Sequence, residues 1–135
     1  TEGVKILIKR SKTDQSGEGS VKAIPYFDNQ EFCPVVALKN YVNKKFSNTN
    51  EGKIFNISDK SVALIIKRYA EKAGLDPSKY AGHSLRSGFA TTAAEFGAEE
   101  RNIMAMTGHK TTQMVRRYIQ EANLFKNNAL NKIKI

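Results

Sequence analysis

The chain has 135 residues, 40% hydrophobic and 26% charged, enough for one domain with a real core. It holds no apolar run long enough to cross a bilayer and no signal-peptide pattern at Thr1-Glu2-Gly3-Val4-Lys5, and its single cysteine excludes an internal disulfide; a reducing, cytoplasmic setting is expected, with no membrane partner. Lys and Arg total 22 against 13 Asp and Glu, a net charge of +9, which points to a polyanion such as nucleic acid, although basic residues also serve plain solubility.

Val4-Lys5-Ile6-Leu7-Ile8-Lys9-Arg10 is rich in β-branched residues and reads as a strand, and the alternating Val21-Lys22-Ala23-Ile24-Pro25-Tyr26 reads as a second. Between them residues 11–20 are polar and carry glycine, which predicts a hairpin with a long, mobile loop, and Pro25 marks an edge position. Cys33, within Phe32-Cys33-Pro34-Val35-Val36, is expected to be a buried small hydrophobe. From Pro34 the pattern turns helical, with Val35, Leu38, Tyr41, Val42 and Phe46 at helical spacing until residues 48–52 break it. Ser58 or Asp59 caps the next helix, in which Val62, Ile65, Ile66, Tyr69 and Ala73 form one apolar stripe; Gly74 stops it and Asp76-Pro77 is a turn. Residues 84–96 form a helix ended by Gly97, and its Ala- and Thr-rich surface implies close packing. A short helix over residues 99–106 offers Ile103, Met104 and Met106 for burial and ends at Gly108. Thr111 or Thr112 caps a helix through Tyr118, and residues 121–130 read as a last one. The expected class is α+β and mostly helical: a small antiparallel sheet followed by a helical bundle.

Three elements carry chemistry: His83-Ser84-Leu85-Arg86, then Gly108-His109, then Tyr118. His83 and Arg86, three apart at a helix start, share a face with Cβ atoms about 5–6 Å apart. Gly108 lets the backbone turn sharply before His109. Both histidines of the chain fall in this set, and the charge excess is concentrated around it. Residues 1–60 have ten basic and seven acidic side chains, net +3, while residues 61–135 have twelve and six, net +6. Each residue also has a plainer reading. Tyr118 is then a structural aromatic, His83 a helix cap, His109 a turn residue, and Tyr69, Met104 and Met106 core. Arg116, Arg117 and Lys110 read as phosphate contacts or surface charge. No carboxylate or Cys/His cluster has metal-ligand spacing, so neither metal nor cofactor is expected.

His83-Ser84-Leu85-Arg86-Ser87-Gly88-Phe89 resembles the H-x-L-R box of tyrosine recombinases. Thr107-Gly108-His109-Lys110-Thr111-Thr112-Gln113-Met114-Val115-Arg116-Arg117-Tyr118 is similar to the G-H…Y segment of the same family as phage integrases carry it. Lys12, in Ser11-Lys12-Thr13-Asp14, matches the lysine this family places on a mobile β-hairpin, though Lys9 and Arg10 lie close by and a loop lysine is often only solvated. The resemblance implies the catalytic-domain fold of DNA breaking-rejoining enzymes. It makes Tyr118 the nucleophile on a DNA phosphodiester, giving a 3′-phosphotyrosyl link and a free 5′-hydroxyl. Arg86 binds the phosphoryl oxygens, His83 and His109 bond the phosphate or assist the proton of Tyr118, and Lys12 protonates the departing 5′-oxygen. Double-stranded DNA is the implied partner, as a homotetramer in the intact protein, with a monomer expected for this chain alone.

The family also uses an earlier arginine in an R-x-S/T-E box, which the chain lacks. Residues 1–135 are therefore expected to be a partial catalytic domain without that box and without the N-terminal DNA-clamping domain. Losing one preorganised charge stabiliser lowers rates by about 10²–10³, so the chain alone is expected to be inactive or very weak. Two other readings stay open: an inactive DNA-binding module of the same fold, and an enzyme like a type IB topoisomerase, against which the phage-like Gly108-to-Tyr118 segment argues.

Overall fold

The first two β-rich runs pair with each other. In the computed structural model, which describes residues 2–10, 16–49, 51–126 and 128–133, strand β1 (Gly3–Ile8) runs antiparallel to β2 (Ser20–Pro25). The register matches Gly3 with Pro25 and Ile8 with Ser20, so Pro25 sits at the end of its strand, where a missing N–H costs least. Lys9 and Arg10 fall beyond the strand. Lys12 lies outside the described residues.

A 3₁₀ turn over Gln30–Phe32 leads into α1 (Pro34–Lys45), with Pro34 in the first turn, where its missing N–H is not needed. Cys33 is buried as expected, and the Phe27 amide donates to its Sγ at 3.3 Å. Of the α1 apolar set, Val35 is buried and Leu38, Val42 and Phe46 are half-buried. Tyr41 is exposed but stacks on Phe55 with ring centroids 5.4 Å apart, and its hydroxyl donates to the Ile54 carbonyl at 3.1 Å. Lys45 Nζ donates to the same carbonyl at 2.7 Å, tying the chain after α1 back to the helix.

The chain divides into two units, Thr1–Asn56 and Ile57–Ile135. The second opens with α2 (Asp59–Lys72), capped by Ser58, whose Oγ accepts the Ser61 amide. Of the expected stripe on α2 only Ile66 faces inward; the rest has the right period and the wrong phase. Val62, Ile65 and Tyr69 are 37%, 40% and 58% exposed, whereas Ala63, Ile66, Lys67 and Ala70 face inward. Small alanines let the backbone approach closely, and Lys67 lies along that face with Nζ donating to the Pro77 carbonyl at 3.0 Å.

Helices α3 (Gly82–Glu95), α4 (Glu100–Thr107) and α5 (Thr112–Asn123) pack around Ala90, Ala94, Ile103 and Val115. Ala93, Met104, Tyr118, Ile119 and Ala122 close over them. Met106, expected in the core, is exposed. The end of the chain also differs from expectation. Nothing between Tyr118 and Glu121 breaks a helix, so α5 runs through to Asn123, and among the described residues only a 3₁₀ turn over Ala129–Lys132 follows, capped by the Asn128 side chain. The described residues are mostly helical with one two-stranded antiparallel sheet, the α+β class expected. Among the described residues no helix is long and apolar enough to cross a membrane.

Candidate functional site

Two helix ends and the middle of a third helix place the candidate side chains. At the start of α3 the Ser84 hydroxyl accepts the Ala81 amide at 3.0 Å, setting the entry angle of the helix. His83, Arg86 and Ser87 then share one face of its first turns, at spacings of three and four. At the end of α4, Gly108 adopts the left-handed conformation, φ +71°, and its amide closes on the Met104 carbonyl at 2.8 Å. A side chain there meets no neighbour, so backbone conformation alone favours glycine. The reversal presents His109. On α5 the fully buried Val115 locks the helix against α3 and α4, which leaves Tyr118 half-buried with Met114 one turn before it.

His83, Arg86, Ser87, His109, Met114 and Tyr118 line one cavity of about 200 Å³. Arg86 Nε donates to His109 Nε2 at 3.3 Å, and the His109 and Tyr118 ring centroids lie 6.3 Å apart. Among the described residues no carboxylate pairs with Arg86, so its charge faces a mouth able to take an anion. Ser87 Oγ donates to the His83 carbonyl at 3.0 Å, which commits its only proton. The 3.1 Å contact between Ser87 Oγ and Tyr118 Oη therefore runs from the phenol to the serine. Partial burial, then the charge of Arg86 and the neighbouring His83, hold the pKa of His109 below the ordinary histidine value.

Four of the five residues read as catalytic thus come together: His83, Arg86, His109 and Tyr118. Lys12, the fifth, falls outside the described residues. Arg116 and Arg117 are exposed and ion-paired, with Glu100 at 3.3 Å and Glu121 at 3.5 Å, pairs weak enough in water for an incoming phosphate to displace. Lys110 is exposed on the turn after His109. Among the described residues no three His, Cys, Asp or Glu side chains converge as metal ligands would. Sequence reasoning passed over Ser87 and Met114 in the lining, and Thr107, whose hydroxyl lies 2.7 Å from His109 Nδ1. The first two were open to it, because Ser87 lies four residues after His83 and Met114 four before Tyr118.

Residues 33–124 match the phage integrase family. The chain is 45% identical over 144 aligned residues to an integrase/recombinase xerD homolog of Selenomonas ruminantium, covering 98% of this chain and 42% of that protein. It is 42% identical over 53 residues to the tyrosine recombinase XerD of Xanthomonas axonopodis pv. citri, 37% of this chain and 17% of that one. To the tyrosine recombinase XerA of Pyrococcus horikoshii it is 30% identical over 79 residues, 58% of this chain and 27% of that one. The chain thus spans less than half the length of these relatives. No solved structure matches it.

Proposed function

The chain belongs to the phage integrase family, and we propose that it carries the strand-cleaving site of a tyrosine-type, site-specific DNA recombinase. The observation that carries this reading is the meeting of His83, Arg86, His109 and Tyr118, from three separate segments, around one cavity. In the proposed reaction Tyr118 Oη attacks a backbone phosphorus of double-stranded DNA. The phosphorus–tyrosine bond forms, the bond to the 5′-oxygen breaks, and a 3′-phosphotyrosyl link remains with a free 5′-hydroxyl. Negative charge spread over the phosphoryl oxygens meets the guanidinium of Arg86, a planar fork suited to two of them. His83 and His109 bond the phosphate or take the phenol proton, and the family resemblance assigns the proton for the 5′-oxygen to Lys12. Rejoining is the same sequence reversed with a new 5′-hydroxyl, so the bond energy is kept in the phosphotyrosine and no nucleotide is consumed. Lys110, Arg116 and Arg117 contribute phosphate contacts, and the working assembly on DNA is a homotetramer.

The test is a nicked suicide DNA substrate, incubated with the native protein and with Tyr118→Phe and run on a denaturing gel. A covalent protein–DNA band that vanishes in the variant is the expected result. A band that persists in Tyr118→Phe removes the nucleophile assignment. DNA bound with no covalent band in either protein favours a binding module that kept the fold without the chemistry.

A further inference from the structure

The last residue of α4, Thr107, does not itself line the cavity, yet its hydroxyl sits 2.7 Å from His109 Nδ1. The same hydroxyl donates to the Ile103 carbonyl at 2.9 Å, one turn back on the helix. A carbonyl only accepts, so the single proton of Thr107 is committed there and its oxygen faces Nδ1 as an acceptor. Nδ1 must then carry the imidazole proton. On the other side of the ring Nε2 receives Arg86 Nε–H at 3.3 Å and must present a lone pair. Two independent contacts thus demand the same neutral tautomer.

We infer that Thr107 is a positioning residue: its hydroxyl fixes the imidazole proton of His109 at Nδ1, so that Nε2 presents the lone pair that orients the guanidinium of Arg86. The low proton affinity of His109 agrees, since burial and the facing charge of Arg86 both oppose a second proton. One of the five N–H groups of Arg86 is then spent on His109, which leaves its two terminal nitrogens to face a ligand. The consequence for catalysis rests on the function proposed above. In that setting His109 enters the reaction unprotonated at Nε2, able to accept the phenol proton once the guanidinium of Arg86 turns to the phosphate, and cannot donate from Nε2 to a phosphoryl oxygen until it has done so. Thr107 acts through the imidazole throughout.

The experiment uses native protein labelled with ¹⁵N-histidine, with Thr107→Val and Thr107→Ser, and reads the two ring-nitrogen shifts of His109 above its titration range, assigned by the spectrum of His109→Asn. The expected result is a protonated Nδ1 and an unprotonated Nε2 in the native protein and in Thr107→Ser, with Thr107→Val moving toward protonation at Nε2. A native ring protonated at Nε2, or a Thr107→Val spectrum identical to native, overturns the inference. At saturating DNA, Thr107→Val should slow formation of the covalent complex about tenfold, the effect of one orienting hydrogen bond, with Thr107→Ser restoring it. A tautomer that shifts while the cleavage rate does not would overturn the positioning role. If the nitrogen shifts behave as expected but the native protein makes no covalent complex, the tautomer lock stands and the proposed function fails.

Discussion

Helices α2 and α3 are both 14 residues long and lie in the same unit, yet they use their sequences in opposite ways. On α2 large apolar residues recur at helical spacing, and most of them face outward: Leu64 and Tyr69 are each 58% exposed. Only Ala70 is buried. Helix α3 has no comparable stripe, but Ala90 and Ala94 are buried against α4 and α5, and its first two turns bear the site. The difference lies in distance of approach. Alanine adds little bulk to a helix surface, so α3 and α5 come close enough for Tyr118 to reach Ser87 and for His109 to reach Arg86. A face of leucine and tyrosine holds a neighbour further away, and a site that depends on contacts near 3 Å cannot be assembled across it. Amphipathic strength is thus a poor guide to which helix carries the candidate site here, and the small residues are the better one.

The comparison can be broken by mutation. Ile103, 1% exposed beneath the site, should cost about 2–5 kcal/mol when cut to alanine, read from the denaturation midpoint, because the cavity left behind cannot collapse among small neighbours. Gly108→Ala should cost less, about 1–2 kcal/mol, since it forces a Cβ into a left-handed backbone without a clash. Its signature is a displaced His109, visible as a changed imidazole environment in NMR even where the protein remains folded. Tyr69→Ala should cost least, about 1 kcal/mol or below, because the ring is largely in water and its partners are the cations of Arg68 and Lys72, each 5.5 Å from its centroid. A loss at Tyr69 as large as that at Ile103 would mean that the outward face of α2 is covered in solution, and the contrast between the two helices would fall.

Much of this arrangement was legible in residues alone. Pro34, Ser58, Gly74, Gly97 and Gly108 mark helix ends because each answers a local backbone need: a first turn, an amide to cap, or a left-handed stop. His83 and Arg86 were placed on one face by spacing. The convergence of His109 and Tyr118 on them was expected from the family resemblance, since no local rule brings together residues more than twenty apart in sequence. Ser87 and Met114 were within reach of the same spacing argument and were overlooked because neither has chemistry that draws notice by itself. Thr107 was not within reach, because its role depends on where its only proton goes.

Local physics therefore determined most of the elements, their order and the α+β class, and the family resemblance pointed to the candidate side chains. Two things were decided by tertiary structure alone: the face that α2 turns inward and the proton arrangement around His109 and Tyr118. The reason is the same in each case. Periodicity specifies a helix but not its rotation about its axis, and a hydroxyl specifies a donor and an acceptor but not which neighbour receives the proton. Both choices are made by the groups packed opposite, which here are Ala70 against its surroundings and the main-chain carbonyls of His83 and Ile103.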